Sequence, residues 1–229
     1  MDVSLFTKCR EKVVGNCSKA IVGKVGDDAW ADNISLSPSG SAFTLHLKNS
    51  DPIHCQTVLL GEHNIQNILL CAVVAQKLGL TAQQIARGIQ QIAPVEHRLQ
   101  LLRSAGGVTI IDDAFNTNPH SSSIALDVLK KFPGRRIIVT PGMVELGEDE
   151  AKYNRIFGEK MAASADLVFL VGKRHTEPIY EGLLSQGFDP EKIHITGSLD
   201  EATRILNPMM QSGDVILYEN DLPDHYSET

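Results

Sequence analysis

The chain has 229 residues, with 21 Lys and Arg against 28 Asp and Glu, a net charge of −7. With 42 % apolar and 21 % charged residues, the composition is globular rather than disordered or fibrous. The acidic balance argues against nucleic acid as a partner, which needs a basic patch, but leaves room for a nucleotide, which needs only a few local contacts. The length predicts one large domain, or one domain with a piece of another. No apolar run approaches the ~20 residues of a membrane span. Residues 1–10 show no apolar core of a signal peptide. Cys9, Cys17, Cys55 and Cys71 lack CxxC spacing and read as free thiols of a reducing cytoplasm.

Residues 34–36 and 43–47 are apolar runs on either side of Ser37-Pro38-Ser39-Gly40, a hairpin signal. Residues 57–60 read as a further strand, ended by Gly61. These pieces predict a sheet edge with too few strands for a core of its own. Ile65, Ile68, Leu69, Ala72, Val73 and Leu78 recur at helical spacing, and Gly79 stops that helix. Thr81 caps a second helix reaching about Ile92, and Pro94 ends the pair. Beyond Pro94, strands over 99–102 and 108–111 flank Gly106-Gly107. Helices over 119–131, 148–164, 177–186 and 199–209 then alternate with strands over 136–140, 167–171, 193–196 and 215–218. Apolar strands separated by helices predict an α/β, Rossmann-like, mostly parallel sheet covered on both faces. The domain boundary falls near residue 93. A β-hairpin and helical remnant of another domain occupies 1–92, and the α/β domain occupies 93–229.

Ligands of such sheets bind beyond the carboxyl ends of the strands. The richest such position is Asp112-Asp113-Ala114-Phe115-Asn116-Thr117-Asn118-Pro119. A carboxylate there can accept both hydroxyls of a ribose. Asp113 is favoured for that role, because a second acid beside a helix start exceeds what capping needs. For Asn118 by itself the helix cap is favoured, with Pro119 at the first helical position. Asn64 and Asn67, three apart, share one helix face and offer donors and acceptors suited to an adenine edge. Taken by themselves, they are better explained as a polar helix start with Asn64 near the cap. Arg98 opens a strand after a helix pair, and its guanidinium suits a phosphate; for an isolated Arg, exposure and pairing with Glu96 is the favoured, bland alternative. Glu145, His175 and the acidic run from Glu219 to Asp224 are weaker candidates. No Gly-x4-Gly-Lys-Ser/Thr occurs: Gly23-Lys24 and Gly172-Lys173 are followed by Val25 and Arg174. There is likewise no Gly-x-Gly-x-x-Gly, Gly-x-Ser-x-Gly or His-Glu-x-x-His.

Taken together and in this order, Gly61-x-His-Asn-x-x-Asn67, Glu96-His-Arg-Leu99 and Ile111-Asp-Asp-Ala-Phe-Asn-Thr-Asn-Pro119 resemble motifs of the Mur ligase family of peptidoglycan synthesis. With Glu145-Leu-Gly147, the wording is most similar to the branch that adds D-alanyl-D-alanine to a UDP-MurNAc-tripeptide. The resemblance implies that residues 1–92 are the end of the family's central ATPase domain and 93–229 its C-terminal domain. It implies adenine contacts from Asn64 and Asn67, phosphate or ribose contacts from Arg98, and a hold on the ribose hydroxyls by Asp113. Phe115, Asn116, Thr117 and Asn118 would face the incoming amino substrate. The expected cofactor is ATP with Mg2+, the metal bound mainly by the central domain. That domain's P-loop, magnesium ligands and carbamylated lysine are not found in this sequence, so neither catalytic nor metal residues are assigned. The branch's last strand leads into Lys-Gly-Ser-Arg, whereas here it leads into Glu219-Asn-Asp-Leu-Pro-Asp224. The expectation is the ATP-capping part of a cytoplasmic amide ligase, inactive by itself, whose full-length partners are a UDP-MurNAc-peptide and an amino acid or dipeptide. The alternative is a non-catalytic nucleotide-binding or docking module served by a partner that supplies the P-loop.

Overall fold

A computed structural model describes residues 21–104 and 106–220. They divide into two compact units. One takes the chain to Ser35 with Ser41–Thr57 and Glu62–Ile92; the other takes Leu36–Gly40, Val58–Gly61 and Ala93 onward. Cys9, Cys17 and the run from Asp221 to Asp224 lie outside the described residues.

Apart from the β1–β2 turn region over 36–40, the first unit holds a sheet of order β1-β2-β3, formed by Ala29–Ser37, Gly40–Leu47 and Ile53–Thr57. The expected hairpin turn is present: Pro38 and Ser39 connect β1 and β2, and Ser37 Oγ donates to the Gly40 carbonyl at 3.0 Å. The third strand lies earlier than the sequence suggested, over Ile53–Thr57 rather than 57–60. It pairs antiparallel with β2, setting Cys55 against Phe43. Its outward residues, His54 and Gln56, are polar and hide the strand, whereas Leu60 is buried in the core of the other unit. Helix α1 (Glu62–Lys77) buries Ile65, Ile68, Leu69, Ala72 and Val73. Gly79 stops it in a left-handed conformation (φ 92°), with Leu80 N–H returning to the Ala75 carbonyl. Helix α2 (Ala82–Gln90) starts at a capping box in which Thr81 and Gln84 satisfy each other's backbone N–H. Three strands backed by two helices do form a core here, built on Phe43, Leu45, Ile65 and Leu69.

The second unit is the expected α/β sheet. Strands β4 (Gln100–Arg103), β5 (Thr109–Asp113), β6 (Arg136–Thr140), β7 (Leu167–Val171), β8 (Ile193–Thr196) and β9 (Val215–Glu219) take the order β4-β5-β9-β6-β7-β8. Only β4 runs antiparallel, as the edge strand of a hairpin with β5. Alternate side chains serve opposite faces, the period of two that a strand requires. Ile138, Val168 and Leu217 meet helices α3 (Pro119–Leu129), α4 (Glu150–Met161) and α5 (Glu177–Ser185) through Leu126, Phe157 and Ile179. Ile137, Phe169 and Ile216 meet α6 (Leu199–Leu206) through Ala202 and Leu206. Each fully buried side chain of this size contributes roughly 1.5–3 kcal/mol. Two predicted helices are trimmed at one end by 3₁₀ turns, Gly147–Asp149 before α4 and Asn207–Met209 after α6. Asp214, just before β9, receives Arg135 in two hydrogen bonds of 2.6 and 3.1 Å. Burial by itself would raise its pKa; the Arg135 bond overrides this and leaves it below the usual carboxylate range.

Candidate functional site

The richest cluster of the second unit lies at the carboxyl ends of β5, β6 and β9. Asp113 ends β5 and stands in register with Glu219, which ends β9. Asp113 is buried, and its Oδ1 accepts the Leu99 N–H at 3.0 Å. Burial pushes its carboxyl up to about 6; Asp112 adds to the shift, while the Leu99 N–H and the Arg98 charge oppose it.

Arg98 stands between two residues with left-handed backbones, His97 (φ 57°) and Leu99 (φ 48°). Each such non-glycine residue costs on the order of 1 kcal/mol and persists only where its surroundings hold it. Two acids hold these: His97 Nδ1 lies 2.8 Å from Asp112 Oδ2, and Leu99 is bonded to Asp113. The Arg98 side chain therefore projects outward. Its guanidinium lies 4.3 Å from the Phe115 ring centroid, and Nη1 donates to Asn116 Oδ1 at 3.0 Å.

The structure thus brings Arg98, Asp113, Phe115, Asn116 and Thr117 together. Thr117 turns inward, and its hydroxyl donates to Glu219 Oε1 at 2.6 Å. Asn118 caps α3: its Oδ1 accepts the His120 and Ser121 N–H groups, each at 3.0 Å. Only its amide NH2 remains for a ligand. Asn64 and Asn67 belong to the first unit, three apart on α1, the former half-buried and the latter exposed. The arrangement in the second unit offers a cation, a carboxylate and an exposed aromatic ring at one strand edge, the equipment for a ribose and a phosphate.

The floor beside this cluster was not legible in the sequence. Thr140 Oγ1 accepts the Gly142 N–H, and Asn220 Nδ2 donates to the Gly142 carbonyl at 2.6 Å. Buried Asn154 accepts from Met143 N–H and donates to Met143 O, both at 2.8 Å. Glu219 is fully buried at the base of the cluster, where desolvation pushes its carboxyl up to about 8. The like charge of Asp113 adds to that shift, and the Thr117 and Thr140 hydroxyls oppose it. The signal for Glu219 was a lone acid ending an apolar strand, which reads only as part of an acidic run. Of the weaker candidates, Glu145 is exposed with a left-handed backbone (φ 64°). His175 pairs with Glu150 at 3.4 Å beside a cleft of about 310 Å³. No group of three or more His, Cys, Asp or Glu among the described residues is placed to hold a metal ion. No described helix is long and apolar enough to cross a membrane.

Two family models match in chain order: the Mur ligase middle domain over residues 3–75, and the Mur ligase glutamate ligase domain over residues 97–218. The UDP-N-acetylmuramoyl-tripeptide–D-alanyl-D-alanine ligase of Buchnera aphidicola subsp. Baizongia pistaciae is 33 % identical over 155 residues, covering 67 % of this chain and 34 % of that protein. The enzyme of the same name from Escherichia coli K12 is 34 % identical over 148 residues, covering 64 % and 32 %. A crystal structure of MurF from Acinetobacter baumannii superposes with a TM-score of 0.75 at 26 % identity, over 88 % of this chain and 43 % of that one. The MurF ligase of Thermotoga maritima, solved in complex with ADP, shares the fold at a TM-score of 0.73 and 20 % identity, over 88 % of this chain and 45 % of that one. The chain therefore spans about a third of the length of these two curated relatives. With the larger of the two domain models covering more than half of its 229 residues, the chain belongs to the Mur ligase family.

Proposed function

We propose that this chain is the ATP-capping part of a Mur-type amide ligase, with residues 1–92 the end of its middle domain and residues 93–229 its C-terminal domain. The pairing of exposed Arg98 with buried Asp113 at the strand edge, beside the loop over 114–118, carries this reading. The donor set fits a nucleotide. Asp113 is oriented through Oδ1 by Leu99, so Oδ2 is the oxygen that meets ribose hydroxyls. Arg98 spends Nη1 on Asn116 and keeps its other guanidinium donors for phosphate oxygens. Asn64 and Asn67 offer their amides to an adenine edge, and the loop from Phe115 to Asn118 faces the incoming amine.

When bound, ATP supplies the phosphoryl group that activates a substrate carboxylate as an acyl phosphate for attack by the amine. The names of the relatives point to a UDP-MurNAc-tripeptide as the carboxylate and D-alanyl-D-alanine as the amine. The role of this chain's own residues is to orient these groups and exclude water, which converts an encounter into a positioned reaction. Magnesium falls to the part of the ligase that bears the phosphate loop. A second reading is a non-catalytic nucleotide-binding module that docks on a P-loop partner, for which the same Arg98 and Asp113 would supply the nucleotide contacts.

Phosphate release from ATP, with UDP-MurNAc-tripeptide and D-alanyl-D-alanine present, tests the proposal. The 229-residue chain by itself is expected to release none. Fused behind the P-loop-bearing part of a relative, it is expected to turn over, and Arg98→Ala to lower kcat/KM by about tenfold or more, the weight of a charged phosphate contact. Turnover by the chain by itself, or full turnover in Arg98→Ala, overturns it. ADP binding with no turnover in the fusion supports the second reading.

A further inference from the structure

We propose that Glu219 is the positioning residue for the loop over 114–118, acting through the Thr117 hydroxyl. The loop leaves β5 at Asp113 and enters α3 at Pro119, and it carries the exposed Phe115 and Asn116. Its ties are few and separable. Arg98 reaches Asn116 from outside, and that bond is exposed. Asn118 is held by the helix it caps. Among the described residues, Thr117 is the member of the loop bonded across the sheet edge, from its Oγ1 to Glu219 Oε1 at 2.6 Å, between residues 102 apart in the chain. Thr117 Oγ1 also lies 3.1 Å from Ser121 Oγ, which links this bond to the first turn of α3.

Glu219 suits the task because its backbone is anchored in the sheet and its side chain is buried. It ends the central strand β9, in register with Asp113, and is fully buried. Asn220, which follows it, is pinned on both sides: its N–H donates to the Asp113 carbonyl and its Nδ2 to the Gly142 carbonyl. Among the described residues Glu219 Oε2 has no hydrogen-bond partner of normal geometry, although the Thr140 hydroxyl nearby favours the charged form, so the carboxyl's firm contact is the one its other oxygen makes with Thr117. A buried acid kept at such a place is explained by what its other oxygen does, and that oxygen holds the loop. The role given to the loop rests on the proposed function, but the bond and its test do not.

Amide hydrogen exchange of residues 115–118 in the 229-residue chain decides the question whether or not the chain is part of a ligase. Thr117→Val and Glu219→Leu are each expected to speed exchange about fivefold, the weight of one hydrogen bond. The double variant should be no faster than either single one. Glu219→Gln, which still presents an acceptor oxygen, should keep the wild-type rate. Unchanged exchange in Thr117→Val, additive effects in the double variant, or loss of protection in Glu219→Gln would each overturn the assignment. If Glu219→Leu does not fold, Thr117→Val and Glu219→Gln still give the answer.

Discussion

Asp113 and Glu219 place two carboxyls side by side on adjacent parallel strands, one buried and the other fully so. Neither is paired with a cation of comparable burial, so desolvation dominates both and raises their pKa values, Glu219 to about 8. Such a group costs nothing at a pH where folded and unfolded chains are both protonated. Its cost grows as pH climbs from the unfolded pKa and is complete above the folded one. For Glu219 that window runs from about 4.5 to about 8. Glu219→Gln is therefore expected to gain stability over the wild type progressively across that window, reaching on the order of 5 kcal/mol at its upper end. Urea unfolding at either end of the window measures it, and an equal difference at both ends would show that Glu219 is not held neutral. This liability explains why the acid is better understood through its bond to Thr117 than as a contribution to the core.

Helices α4 and α5 touch backbone to backbone. A Cβ at Gly158 would lie 2.1 Å from the Ile179 carbonyl oxygen, and one at Gly182 would lie 2.2 Å from that of Arg155. Neither glycine has a left-handed φ, so the requirement is for space rather than for backbone freedom. The same helix α4 carries Asn154, whose side chain holds the Met143 backbone beside the site. Gly158→Ala is expected to cost about 3 kcal/mol, because the opposing atom is backbone and cannot turn away. Gly88→Ala in α2 is the contrast: no atom lies within 4 Å of its Cβ, and the helix should gain up to about 1 kcal/mol. Thermal or urea unfolding of the two variants compares them directly. A neutral Gly158→Ala would mean that the helices separate readily.

At the scale of the whole molecule, each unit has its own core, and the first carries its own probes. Trp30, the single tryptophan, stacks on His46 with ring centroids 4.7 Å apart. Cys55 is buried in the same unit, where desolvation raises its thiol to about 11, while Cys71 is exposed on α1. Thiolate is the reactive form, so the two should differ sharply in native labelling. Peptide-mapped alkylation is expected to modify Cys71 at once. Cys55 should stay protected until urea unfolds the first unit, with the same midpoint as Trp30 emission. Labelling of Cys55 well before the Trp30 change would mean that the first unit does not unfold as one cooperative body.

Local physics made much of this protein legible from its sequence. Thr81 with Gln84, Asn118 with Pro119, and Gly79 mark helix ends because caps are satisfied within a turn. Apolar strands alternating with helices specified the α/β class, and the motifs around Arg98 and Asp113 pointed to the family. Strand β3 was misplaced because its outward residues are polar and its pattern is short. The inward turn of Thr117, the burial of Glu219 and the clamp of Asn154 on Met143 were decided by tertiary structure alone. Each depends on which strands and helices become neighbours, and a residue's burial is set by those partners rather than by the residues beside it in the chain.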